Sequence, residues 1–253
     1  MDLSGLLGLG FVVLFVLLIL LFTLDARRRG TRAAALREIE AFQTLPTTVG
    51  QAVETGRRLH ISLGSGSIGE MDTAAALAGL TVLDQVADAA SVSDRPPVVT
   101  TADGTAMLLA QDTLRKVYRR QNALARYDPN SARVAGLSRF SFGAALTSLV
   151  KDEAVAGTIL IGSVGLEAPL LTEAGRRAGV TTLAGSDDPA AQAMLFATAD
   201  HPLIGEEMFA GGAYIGRLAA HIGSLRAQDL LRILVGAAIL VGVLAKTLGL
   251  PLP

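Results

Sequence analysis

Leu59-His60-Ile61-Ser62-Leu63-Gly64-Ser65-Gly66-Ser67-Ile68-Gly69 decides how the middle of this chain is read. Residues 59–63 form a short β-like run, and the glycines after it end the run in a tight turn. Over 70–90 the apolar positions Ala74, Leu77, Ala78, Leu80, Val82, Leu83 and Val86 recur as they do in a largely buried helix. Arg95-Pro96-Pro97 stops that helix.

Working outward, the same unit repeats. Strands are expected at 98–101, 132–137, 158–162 and 180–184, with helices at 105–125, 140–150 and 189–198. Upstream, 31–42 reads as a helix running from basic to acidic, and Pro46 opens a second at 47–58. Short strands separated by helices of this length imply right-handed crossovers and neighbouring parallel strands. The expected fold class is therefore α/β: a mostly parallel sheet with helices on both faces, Rossmann-like.

This domain is expected to lie between two membrane spans. Residues 3–24 carry no charged side chain, and Arg27, Arg28, Arg29 and Arg32 follow at once. At about 1.5 Å per residue, such a helix covers the roughly 30 Å hydrocarbon core of a bilayer. A cleavable secretory signal fits less well. The residues before the apolar run offer only the amino terminus and Asp2, the run is too long, and Leu24-Asp25-Ala26-Arg27 is a poor cleavage site. A second apolar run, 233–250, has one charge, Lys246, placed where a long side chain reaches the head groups. A buried helix of the soluble domain stays open for it, because the uncharged part before Lys246 is short for a span. Arg226 and Arg232 flank its near side. By the positive-inside rule both runs give one topology: termini outside, central domain in the cytoplasm. The organisation expected is an anchor at 1–30, an α/β domain at 31–228 and a second transmembrane helix at 229–253.

A net charge of −1 gives no large basic surface, so nucleic acid is not an expected partner. Without cysteine there is no disulfide framework, thiolate metal site or cysteine nucleophile. Tryptophan is absent and aromatics make up 4% of the chain, which leaves small aliphatic side chains to fill one core.

Three stretches together resemble an uncharacterised family of bacterial membrane-anchored proteins, a domain of unknown function. They are Gly56-Arg57-Arg58-Leu59-His60-Ile61-Ser62-Leu63-Gly64-Ser65-Gly66, Gly205-Glu206-Glu207-Met208-Phe209-Ala210 and Ser224-Leu225-Arg226-Ala227-Gln228-Asp229. The resemblance implies a single unit with a membrane anchor, in the bacterial inner membrane. It implies no activity and no catalytic residue.

Gly64-x-Gly66-x-x-Gly69 is the sharpest motif. A strand before it and a helix after it are the context of a dinucleotide-binding turn, in which glycines let the backbone approach a pyrophosphate. Glu70 and Asp72, expected in the first helical turn, oppose a phosphate there. The acidic ribose ligand expected about 20 residues on is missing, since Asp103 is too distant. A tight strand-to-helix turn is the plainer reading. His60 beside Ser62, Ser65 and Ser67 suggests a base and a hydroxyl, but no orienting acid accompanies them. His201 and His221 are too far apart in sequence for a local ligand motif, so no metal site and no cofactor is expected.

Glu206 and Glu207 have two readings as well. One is a loop meeting the Gly64 turn at the sheet edge, with a carboxylate as general base or cation ligand. The other is a helix beginning near Glu206, its small residues Gly212, Gly216, Ala220 and Gly223 packing closely on a second backbone and running almost continuously into the second span. The function expected first is a non-enzymatic, membrane-anchored scaffold or assembly module that self-associates or joins another membrane protein. The alternative is a nucleotide- or small-ligand-binding sensory domain that uses Gly64, Ser65, Gly66, Ser67 and Gly69 with His60, Glu206 and Glu207. An enzyme with His60 as base comes third.

Overall fold

The computed structural model describes residues 3–31 and 36–248. It divides the chain into two compact units, Arg37–Ile215 and a second made of Met1–Leu36 with Gly216–Pro253.

The larger unit is an α/β domain. In chain order it comprises α2 (Glu40–Thr55), β1 (Arg58–Gly64), α3 (Thr73–Ala90), β2 (Val98–Thr101), α4 (Gly104–Arg120), β3 (Ala132–Val134) and α5 (Arg139–Asp152). There follow β4 (Val155–Ser163), α6 (Ala168–Arg177), β5 (Thr181–Ser186), α7 (Pro189–Thr198), β6 (His201–Leu203) and α8 (Gly211–Tyr214). The strands form one sheet in the order β3-β2-β1-β4-β5-β6. Every pairing is parallel. β1 and β4 are buried almost throughout, because a parallel strand covered on both faces has no wet side.

Alternation along the strands sends residues to two cores. Val98, Leu160 and Ala184 pack with Phe142 and Leu146 of α5, Leu171 of α6 and Leu195 of α7. On the other face α3 approaches so closely that a Cβ on Gly79 would meet the Ile161 carbonyl oxygen at 2.4 Å and Leu63 at 2.9 Å. Arg58 and Arg133 both bind Glu153, at 2.9 and 2.6 Å, which fastens β1 and β3 to the segment that leads into β4.

The sequence reading departs from the structure in five places. Pro46 does not open a helix but lies inside α2, where it removes the N–H that would have reached the Phe42 carbonyl. α2 stops at Gly56 (φ 62°), with Arg57 N donating to Ala52 O at 3.0 Å in the manner of a Schellman cap. The expected helix at 31–42 falls partly on 32–35, outside the described residues, and only its end joins α2. Residues 201–203, expected in no element, form the edge strand β6, and 168–177 form α6. The helix expected from Glu206 into the second span is broken: a 3₁₀ turn Gly205–Ala210 leads into α8, and Arg217 takes a positive φ of 46° before the next helix begins.

The second unit holds α1 (Leu3–Arg29) and α9 (Ala219–Thr247). Both are long and apolar enough to cross a membrane by length and composition. They pack antiparallel. A Cβ on Gly223 would stand 2.4 Å from the Thr23 hydroxyl, Asp25 binds Arg226 at 3.2 Å, and Phe11 and Phe15 share a groove with Leu231 and Val235. Residues 249 and 250 of the expected second span lie outside the described residues.

Candidate functional site

In an open parallel sheet the crevice lies where neighbouring strands send their connections to opposite faces. Here that point is between β1 and β4. The chain leaves β1 through the 65–72 loop to α3 on one face, and leaves β4 through Val164 to α6 on the other. The Gly64 turn sits at this switch point, as its motif suggests.

Its glycines, however, serve the protein's own packing. Gly64 has φ 71°, and a Cβ there would lie 2.1 Å from Ser163 O. From the other side, a Cβ on Gly162 would lie 2.0 Å from Leu63 O. The two strands thus close on each other at their ends, where the register slips between Ser62 and Gly64. Ser65 donates its backbone N–H to Ser163 O at 2.7 Å and its hydroxyl to the same oxygen at 3.2 Å. The Gly64 carbonyl accepts from Ala102 N at 2.8 Å and from Thr101 Oγ1 at 3.1 Å. A Cβ on Gly66 would touch Ser163 and Asp72 at 3.2 to 3.4 Å, and Gly69 has φ 98° over open space.

The helix starts later than the motif requires. α3 opens at Thr73, seven positions after Gly66, so Glu70 and Asp72 precede the first turn instead of lying in it. Thr73 Oγ1 accepts from Gly69 N at 2.9 Å. A dinucleotide turn places helix N–H groups directly over its second glycine; here the intervening loop holds that position.

Acids floor the crevice. Asp187, just past β5, has its carboxyl held above the usual carboxylate range by burial first, helped by the charges of Asp72 and Asp188 and opposed by a hydrogen bond from Ser163. Asp187 Oδ1 is buried and has no hydrogen-bond partner among the described residues. Asp188 caps α7 by accepting from Ala190 N at 2.8 Å, and the buried Glu167 accepts from Gly165 N at 3.0 Å. The sequence reading missed Asp187 and Asp188. Their one signal is Asp-Asp-Pro before a helix, which reads only as a cap.

The other predicted residues lie elsewhere. His60 is in the middle of β1 and wholly buried, beside Val98 of β2 and Thr158 of β4 in the register. Its Nε2 lies 2.8 Å from Thr100 Oγ1, and its Nδ1 has no hydrogen-bond partner among the described residues. Burial, and secondarily the Arg133 charge, lower its pKa to about 3, so the imidazole is neutral. The hydroxyl it meets is Thr100, not that of Ser62, Ser65 or Ser67. Ser62 shares its face of the strand but is equally buried, and Ser65 and Ser67 lie past the strand end.

Glu206 and Glu207 stand in the 3₁₀ turn after β6, also at the C-terminal edge of the sheet. β4 and β5 separate them from β1, a distance of roughly 14 Å at 4.8 Å per strand. Both loops lie along the C-terminal edge of one sheet, and the 3₁₀ turn packs against α3, the helix that follows the Gly64 loop. Glu207 is engaged locally: it accepts from Ile204 N at 3.1 Å and pairs with Arg37.

A separate cavity of about 440 Å³ lies between α2, α3 and α8, walled by Phe42, Pro46, Val49, Val86, Tyr214 and Ile215. Phe42 and Tyr214 stack on each other in its wall, with ring centroids 5.3 Å apart. It suits an apolar group, not acid–base chemistry.

Set beside known proteins, residues 4–252 match the model of one family, described as a domain of unknown function (DUF6754). No curated protein and no solved structure matches.

Proposed function

The chain belongs to the DUF6754 family, and from that premise we propose that it is a membrane-anchored, non-enzymatic scaffold or assembly module that self-associates. The observation that carries this reading is how the chemically competent residues are used. Gly64 and Gly66 let β1 pack on Ser163, Ser65 closes the same joint, His60 is a neutral core residue, and Glu207 caps a turn. Among the side chains it exposes, Leu137, Phe140 and Leu166, at 85%, 88% and 61%, are the apolar contacts this reading assigns to a partner.

In this reading α1 and α9 both cross the bacterial inner membrane. Arg27, Arg28 and Arg29 in the last turn of α1, with Arg226 in α9, hold 37–215 in the cytoplasm with both termini outside. The bilayer and a second copy of the chain, or another membrane protein, are the partners. Light scattering on the full-length protein in mild detergent, with native mass spectrometry of the same sample, tests it. A discrete oligomer without a small molecule is the expected result; a monomer that retains a nucleotide-sized ligand overturns it.

One observation favours a second reading, a small-ligand sensor at the switch point. The strand order creates a crevice between β1 and β4, and Asp187 presents there a buried oxygen with no hydrogen-bond partner among the described residues. Its acids suit a cationic or hydroxyl-rich ligand better than a phosphate.

A further inference from the structure

The apolar runs of α1 and α9 are out of step. Thr23 stands against Gly223, and Phe11 and Phe15 lie with Leu231 and Val235, which sets the register of the pair. Beside the uncharged residues 3–24 of α1, α9 presents roughly 222–243, although its own uncharged run starts only at Ile233. Asp229 and Arg232 are consequently level with about Leu17 and Leu14, some 10 to 15 Å along the axis from Leu24. A membrane crossed by 3–24 takes both charges into its hydrocarbon, where ionised side chains are rare and are found paired.

Asp229 is turned away from α1, while Arg232 stands at the edge of the helix contact and lines the groove with Phe11 and Phe15. At 100° per residue Asp229, Ile233, Gly236 and Leu240 share one face of α9 with Arg232 at its border, while Gly223 and Leu231 point the opposite way. Asp229 and Arg232 are 70% and 56% exposed, and a Cβ on Gly236 would meet nothing within 4 Å. Within one chain the two charges stand 3.8 Å apart.

This face is complementary to itself. Two copies of α9 side by side in the same direction about a twofold axis bring Asp229 of each to the partner's Arg232, an axial offset of about 4.5 Å that an arginine side chain spans. One turn on, Gly236 lets the two backbones close. We propose that α9 is a dimer interface, held by reciprocal ion pairs between Asp229 of one copy and Arg232 of the other. The proposal deepens the scaffold reading and rests on it.

A chain without cysteine makes the test direct. Gly236→Cys in the full-length protein, reconstituted in phosphatidylethanolamine–phosphatidylglycerol vesicles and oxidised with copper phenanthroline, is expected to form a disulfide-linked dimer, whereas Leu231→Cys is not. Adding Asp229→Arg is expected to lower the cross-linked yield about tenfold, a coupling of about 1.4 kcal/mol. Combining it with Arg232→Asp restores the yield, and that restoration also shows that the chains are folded. Unchanged yield in Asp229→Arg, or no restoration in the double variant, overturns the interface. If light scattering still finds an oligomer while Gly236→Cys does not cross-link, the α9 interface fails and the scaffold reading stands; a monomer removes both.

Discussion

Gly64 and Ser163 meet with no room between them: a Cβ at position 64 would lie 2.1 Å from the Ser163 carbonyl oxygen. Ser65 donates its N–H to that same oxygen. A side chain at position 64 therefore has to part β1 from β4 at the switch point, in a backbone conformation that already disfavours it.

Gly64→Ala accordingly adds a left-handed φ to an overlap with backbone and is expected to cost about 3 kcal/mol or more. For a domain of this size that is a fall of roughly 6 to 12 °C in Tm. Gly50→Ala is the counterpart, because Gly50 lies inside α2 with nothing within 4 Å of its absent Cβ. It is expected to raise stability by about 0.5 to 1 kcal/mol. Circular-dichroism melts of both full-length variants in one detergent compare them. Equal Tm values mean that the strand ends are not in close contact.

His60 gives the fold a pH dependence of predictable sign. Its folded pKa, about 3, lies below the ordinary 6.5. Between those values the unfolded chain binds a proton that the folded chain refuses. Its contribution is thus complete above pH 6.5 and is lost as the pH falls toward 3, with a slope of up to about 1.4 kcal/mol per pH unit. Denaturation midpoints measured from pH 7 down to 5 should decline, and His60→Leu should flatten the decline while lowering stability at pH 7, because Thr100 Oγ1 loses its partner. An equal slope in both proteins shows that the imidazole is not buried neutral.

How much was legible in the sequence follows from which signals are local. β1, β4 and β5 read as strands because each carries a short run of aliphatic or β-branched residues bounded by glycine or serine, and both their faces are buried. β6 did not, since three residues containing Pro202 carry no periodicity and pair only by register with β5. Pro46 misled because α2 tolerates a missing N–H that sequence rules treat as a boundary. The turn at Gly64 was visible as glycine, but its purpose was not. That purpose depends on Ser163, ninety-nine positions away, just as the acidic floor depends on β5 bringing Asp187 beside Ser163. His60 looked like chemistry because a sequence shows a residue's type and not its burial.

Two neighbouring aromatics separate packing from association. Phe142 is wholly buried beneath the sheet, whereas Phe140, on the opposite face of the same first turn of α5, is 88% exposed. Phe142→Ala is expected to cost about 3 to 5 kcal/mol. Phe140→Ser should stay within about 0.5 kcal/mol of the parent, yet reduce the mass seen by light scattering if the domain's apolar surface takes part in assembly. A stable Phe140→Ser protein of unchanged mass excludes that surface from the scaffold's contacts.

Asp187 distinguishes the two functional readings. Because its folded pKa is raised, the charged carboxylate works against the fold at neutral pH, and the group's penalty disappears as the pH falls through the raised value. Asp187→Asn is therefore expected to raise Tm at pH 7 and to leave it little changed near pH 4. Burial disfavours this carboxylate, and among the described residues its Oδ1 has no hydrogen-bond partner, which is the contact a bound ligand would supply. If native mass spectrometry finds a small molecule on the parent protein and not on the more stable Asp187→Asn variant, the crevice between β1 and β4 is a ligand site and the sensor reading displaces the scaffold. If neither protein carries one, the acid belongs to the joint that Gly64 and Ser163 form, and Asn at 187 is a simple gain in stability.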